Sequence, residues 1–162
     1  MAYEIIKTKR AVRTFSEQPV NQEIIHKIAN AGRLAQSSKN DQPWTFIIIQ
    51  EKSTLEELST CGPFAKHIAG ATFAIAIVSQ PDYKFDLGQA AAYFQLVAWE
   101  LGIGSCIASI YDPTKAKKLL QVPEKYELRY ALSFGYPKNT TVRSARKGGR
   151  RPFTDVVKSE HW

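Results

Sequence analysis

This 162-residue chain has little cysteine and no long apolar run. It holds 2 cysteines: Cys61 stands before a Gly-Pro turn, and Cys106 sits inside an apolar, glycine-rich run. Neither spacing resembles a metal knuckle or a disulfide framework, which argues against a cysteine-stapled secreted domain. No window approaches the roughly 18 apolar residues that a membrane span needs, and the start, MAYEIIKTKR, has no apolar core of signal-peptide length. A soluble, cytoplasmic protein without membrane association is therefore expected. Repeats, low-complexity tracts and linker-like composition shifts are also missing, so residues 1–162 read as one domain.

What is present is ordinary globular material with a basic bias. A hydrophobic fraction of 44% with 23% charged residues argues against wholesale disorder. The net charge is +7, and its basic residues gather in two places. Lys7, Lys9, Arg10 and Arg13 crowd the N-terminus; Arg143, Arg146, Lys147, Arg150 and Arg151 crowd a stretch near the C-terminus. Such clusters suit phosphate, on a nucleotide cofactor or a nucleic acid, although an isolated basic run is usually a solvated face.

The apolar pattern divides the chain into alternating elements. Ile24, Ile25, Ile28, Ala31 and Leu34 recur at helical spacing over 21–35, behind Pro19 and a candidate Asn21 cap. Residues 44–49, 72–78, 102–110 and 128–134 read as strands bounded by Gly, Pro and Asp turns. Ser53 and Glu56 have capping-box spacing and predict a short helix ending before Gly62-Pro63. Residues 86–101 are alanine-rich and apolar on nearly all sides, the mark of a helix inside a core or an interface. Asp112-Pro113 looks like a cap followed by proline at the first helical position. Interleaved strands and helices predict a layered α/β or α+β domain with one sheet covered on both faces. The tail ends in an apolar patch, Phe153, Val156, Val157 and Trp162, which is expected to dock on its own domain or on a second copy.

Three groups of residues, in this order, resemble the nitroreductase family of flavoproteins. The first is Lys9-Arg10-Ala11-Val12-Arg13-Thr14-Phe15; the second is Ala35-Gln36-Ser37-Ser38-Lys39-Asn40-Asp41-Gln42-Pro43-Trp44. The third comprises Leu101-Gly102-Ile103-Gly104-Ser105-Cys106, the Leu119-Leu120-Gln121-Val122-Pro123-Glu124 stretch, Phe134-Gly135-Tyr136-Pro137 and Gly148-Gly149-Arg150-Arg151-Pro152. Each alone is weak, since short glycine-rich and basic motifs recur by chance; their joint order is specific.

The resemblance implies an α+β, three-layer domain with a mixed, largely antiparallel sheet flanked by helices, intertwined as a homodimer. It implies FMN as cofactor, NAD(P)H as co-substrate, and a small organic acceptor (nitroaromatic, quinone or enone) reduced in ping-pong order. Guanidinium groups bind phosphate bidentately, so Arg10 and Arg150, with Lys9, are the candidates for the phosphate end. Arg13 maps onto the family's cation by the flavin pyrimidine edge, where it would stabilise the reduced ring. Ser37, Ser38 and Asn40 resemble the loop that one subunit extends over its partner's flavin; as residues alone they are a plain turn. Trp44 is expected in the core. The amides of Ser109 and Ile110 are the expected donors to flavin N5 and O4, and small residues before them let backbone approach the ring. Cys106 is expected buried and inert, because its sequence neighbours supply no base.

The chain also departs from the family pattern. Ala11 replaces a serine that contacts phosphate or ribityl, Gln36 replaces a proline, and Gly148 stands where a lysine is common. Each lost polar contact weakens the phosphate grip by about 1–3 kcal/mol if nothing replaces it. Two other readings compete: the same fold used for reductive dehalogenation or flavin cleavage, and a binding module, either a low-turnover flavin carrier or a basic RNA-binding domain. RNA binding calls for aromatics interleaved with the basic residues, and the 143–151 cluster has glycines instead.

Overall fold

A computed structural model describes residues 2–139 and 149–162. Six α-helices and four strands follow one another: α1 (Ala2–Thr8), α2 (Gln22–Arg33), β1 (Trp44–Ile49), α3 (Lys52–Ser59), β2 (Phe73–Ser79), α4 (Lys84–Glu100), β3 (Gly104–Ser109), α5 (Pro113–Leu119), β4 (Glu127–Gly135) and α6 (Phe153–Val156). Short 3-10 turns occupy Ser38–Asn40 and Lys66–Ile68.

The strands form one sheet in the order β1-β2-β4-β3, with every neighbouring pair antiparallel. Among the described residues the expected parallel component shrinks to a single bridge, Ala11 beside Ser105. The reason is connectivity: each link from one strand to its sheet neighbour reverses direction, and the N-terminal arm arrives as an isolated contact rather than a strand.

β2 shows why this sheet carries helices on both faces. All seven of its residues are buried. Its side chains alternate in size as well as direction. Phe73, Ile75 and Ile77 face one cluster with Ile25, Ile28, Leu87, Phe94, Leu132 and Phe134. Ala74, Ala76 and Val78 face the other, with Leu55, Leu58, Ala116, Leu128 and Ala131. The larger side thus meets α2 and α4, and the smaller side meets α3 and α5. Phe73 and Phe134 stack across the strands at 4.8 Å between centroids. On the helical layer, a Cβ on Gly32 would lie 2.0 Å from the Phe94 ring, so only glycine lets α2 approach α4 this closely.

Local signals read from the sequence set most helix ends. Asn21 caps α2 by accepting the Glu23 amide at 2.8 Å, and Asp112 caps α5 by accepting the Lys115 amide at 2.9 Å. The capping box expected at Ser53 is not made: α3 begins at Lys52, one turn position earlier, with Glu51 at its N-cap and no side-chain cap bond. Helices α1 and α6 had no periodic signal, and neither has a buried residue. The apolar tail leaves Phe153, Val156, Val157 and Trp162 exposed on this chain, and α4 presents Phe85, 80% exposed, on its outer side.

Candidate functional site

The site begins with an edge. β3 pairs with β4 on one side only; the arm of residues 9–16 meets its other side at Ala11 and then pairs through Phe15 with the segment after β4. Val12 N–H donates to the Ser105 carbonyl at 2.9 Å, Ser16 N–H to the Tyr136 carbonyl at 2.8 Å, and Lys138 N–H to the Thr14 carbonyl at 3.1 Å. Gly104 makes this possible, because a Cβ there would lie 2.6 Å from Val12 Cβ.

The arm delivers Arg13 to a cavity of about 700 Å³ that it lines together with Pro63, Phe64, Lys66, His67 and Ile107. A second hollow of about 500 Å³ shares Pro63 and Lys66 with it and extends to Tyr111 and Asp112. Phe64 and Tyr111, both exposed, meet edge to face at 6.2 Å. Lys66 and His67 were not singled out from the sequence. Their only signal is two basic residues between a Gly-Pro turn and a strand.

His67 is held by the sheet rather than by solvent. Its Nδ1 lies 2.7 Å from Ser133 Oγ, whose hydroxyl donates to the Cys106 carbonyl at 3.3 Å. The short contact to Ser133 fixes the orientation of the ring, whichever nitrogen carries the proton. Nε2 is buried and has no partner among the described residues. Burial, then the charge of Arg13, hold its pKa below the ordinary histidine value, so the ring is neutral at neutral pH.

Cys106 is buried, as expected, and its thiol is raised, but the reason differs from the one its sequence suggested. Its sequence neighbours carry no base, but the arm brings Arg13 and Lys9 into its field, and both favour the thiolate. Burial outweighs them and raises the thiol, which stays protonated. Lys9 is half-buried, and burial lowers its pKa, with Cys106 opposing the shift and Arg13 adding to it.

The remaining expected residues divide between places. Ala11 lies exposed on the arm beside Ser105. Arg10 turns one terminal nitrogen onto the carbonyls of Lys7 and Lys9 at 2.8 and 3.0 Å, closing the end of α1. Its Nε/Nη2 edge, the edge that grips a phosphate in fork geometry, makes no bond to the described residues. Ile110 departs from expectation: its N–H donates to the Arg129 carbonyl at 2.8 Å within the sheet, so it is not an open donor. By the alternation of an antiparallel pair, the amides of Ile107 and Ser109 point the other way, to the outer edge of β3. Arg150 is exposed in the C-terminal segment. Arg143, Arg146, Lys147 and Gly148 lie outside the described residues.

Ser37, Ser38 and Asn40 lead into β1, at the opposite edge of the sheet from the arm. Three inter-strand spacings, about 14 Å of backbone alone, separate those edges. The loop is held in an unusual shape: Lys39, Asn40 and Gln42 have φ of 52°, 58° and 47°. Left-handed backbone at non-glycine residues costs of the order of 1–3 kcal/mol each and persists only where the surroundings enforce it. Trp44 is half-buried and stacks on Phe46 at 6.0 Å, a core role as expected.

An antiparallel sheet between two helical layers, with a cavity lined by Arg13 and Lys66 on its edge strand, defines an α+β fold. The sequence matches the family described as "Putative TM nitroreductase" over residues 2–162, and the chain belongs to the nitroreductase family of oxidoreductases. A protein of Archaeoglobus fulgidus named "Putative NADH dehydrogenase/NAD(P)H nitroreductase" is 32% identical over 148 residues, 84% of this chain and 85% of that relative. An iodotyrosine deiodinase of Thermotoga neapolitana is 25% identical over 85% of this chain and 89% of its own length. Among solved structures, an FMN-dependent nitroreductase from Clostridium difficile superposes with a TM-score of 0.84 at 28% identity, covering 98% of each chain. No helix among the described residues is long and apolar enough to cross a membrane.

Proposed function

We propose that the chain is an FMN-dependent oxidoreductase that takes reducing equivalents from NAD(P)H and delivers them, in ping-pong order, to a nitroaromatic, quinone or related organic acceptor. The whole chain acts as one flavin-binding domain, used as a homodimer. The carrying observation is the division of the expected site residues between two opposite edges of one sheet. The cations Lys9, Arg10 and Arg13 stand with the Ser109 amide at the β3 edge; Ser37, Ser38 and Asn40 stand beyond β1. A cofactor that needs both sets is completed by a second copy, which also covers the exposed apolar residues of α4 and the tail.

The residues fit FMN. Arg13 and Lys66 offer fixed positive charge in the cavity, suited to a ring edge that gains electrons, and the Nε/Nη2 edge of Arg10 suits a phosphate. The flavin, when bound, supplies the hydride chemistry. Ser109 N–H would donate to a flavin held at this edge of β3. His67, neutral and fixed through Ser133, lines the cavity without adding a competing charge. The small residues of β3 keep the approach to the ring open, so two substrates can use the same face in turn.

The test is the visible spectrum of freshly purified protein, followed anaerobically on adding NADH or NADPH. Flavin absorption that bleaches, then recovers on adding a quinone or nitroaromatic, is the expected result; protein that takes up no flavin refutes the proposal. The likeness to iodotyrosine deiodinase favours a second reading, reductive dehalogenation on the same site. Recovery of the bleached band by a halogenated tyrosine, with halide release, and not by quinone would select it.

A further inference from the structure

We propose that Asp86 is a positioning residue for the flavin site: its carboxylate clasps the 37–42 loop to the first turn of α4 and holds it in its left-handed shape. The inference rests on the reading that this loop covers a flavin.

An acidic side chain in the first turn of a helix ordinarily satisfies that helix's own end, by folding back onto the N-cap or by facing its unpaired amides. Asp86 leaves its own end unserved: Tyr83, at the N-cap of α4, has no side-chain cap bond. Instead Oδ2 accepts the Ser38 N–H, 48 residues away in sequence, at 3.2 Å. The residue is only 6% exposed, on the part of α4 that also buries Leu87 and Ala90. A carboxylate carried into such surroundings is retained at a desolvation cost, and among the described residues it is bonded to this one loop amide.

Two exposed bonds flank the clasp. Gln36 Nε2 donates to Gln89 Oε1 at 2.9 Å, and Tyr83 O–H donates to Asp41 Oδ2 at 3.2 Å. Every outside partner of the loop in these bonds is therefore on the first two turns of α4. Within the loop, Ser37 Oγ accepts the Gln42 amide at 2.9 Å, which closes the turn around Lys39 and Asn40. An exposed bond alone is exchanged readily for water, so the half-buried Asp86–Ser38 bond is the tie that sets where Ser37, Ser38 and Asn40 point. Asp86 touches no part of the cation-lined cavity; it acts through the loop.

Hydrogen exchange on the flavin-free protein, with FMN titration, tests this on wild type, Asp86→Ala, Asp86→Asn and Tyr83→Phe. Asp86→Ala is expected to speed exchange of the 38–41 amides at least tenfold and to weaken FMN at least tenfold. Asp86→Asn keeps an acceptor oxygen and is expected to recover most of both, while Tyr83→Phe changes either by less than threefold. Should Asp86→Ala fail to fold, Asp86→Glu carries the same expectation, since it keeps the charge and displaces the acceptor by one methylene. Fast exchange with unchanged FMN affinity, or unchanged exchange, overturns the inference while leaving the flavin reading intact. A wild type that binds no FMN overturns both.

Discussion

Replacing Gly104 by alanine tests whether the N-terminal arm lies where it must to present Arg13. Gly104 is not among the residues with positive φ, so alanine suits its backbone and gains about 0.4–1 kcal/mol by restricting the unfolded chain. Against that, the new Cβ would sit 2.6 Å from Val12 Cβ, 2.7 Å from Cγ2 and 2.8 Å from Cγ1. All three atoms belong to one short, buried, β-branched side chain that cannot swing aside without moving its backbone. Overpacking of this kind costs about 1–3 kcal/mol, and lifting the arm away would give up the Val12–Ser105 hydrogen bond, about 0.5–1.5 kcal/mol net. The balance is a loss of about 1–3 kcal/mol. For a chain of this size that corresponds to a fall in Tm of roughly 3–10 °C, measured by calorimetry. FMN affinity should fall with it, because Arg13 moves with the arm. Val12→Ala removes the two Cγ contacts, so Gly104→Ala should cost about 1 kcal/mol less in that background. A Gly104→Ala protein with unchanged Tm and FMN affinity, or an equal cost in both backgrounds, would refute the docking of the arm on β3.

Arg150→Ala should weaken FMN by about 1.5–3 kcal/mol, the range of a charge-assisted hydrogen bond, and leave riboflavin affinity unchanged; equal loss of both in fluorescence titrations refutes a phosphate role. His67 has a lowered pKa in the folded chain, so the unfolded chain takes up the proton first. Stability present above about pH 6.5 is therefore lost as pH falls below the unfolded value and on through the folded one, and His67→Asn should flatten this slope in urea melts at pH 7.5 and 5.5. Deleting residues 153–162 should release subunits and flavin together on dilution; a monomer sedimenting with full flavin content sinks the shared-site reading.

Much of the fold was legible locally. The strand at 44–49 coincides with β1, and β2, β3, β4 and the two longest helices appear within one or two residues of expectation, as do the caps Asn21 and Asp112. Period, cap chemistry and turn residues are properties of adjacent residues, so adjacent residues reveal them. The family could also be recognised from its motifs, because their order is written along the chain. The Ser53 box failed for the same local reason in reverse: Glu51 and Lys52 extended the helix, and a two-residue motif does not choose between starts.

What needed the tertiary structure was which groups meet. Ile110 looked like an open donor until its amide fell on Arg129, because strand register decides which amides face out, and register depends on β4, some 20 residues on. Lys66 and His67 entered the site only because the turn before β2 folds beneath the arm, and Cys106 acquired basic neighbours from residues almost 100 positions earlier. Asp86 was not singled out in the sequence; only the fold placed Ser38 against it. Composition and periodicity determine elements over short distances; proximity between distant segments is decided by packing, where a missing Cβ at Gly104 or Gly32 governs what can approach what.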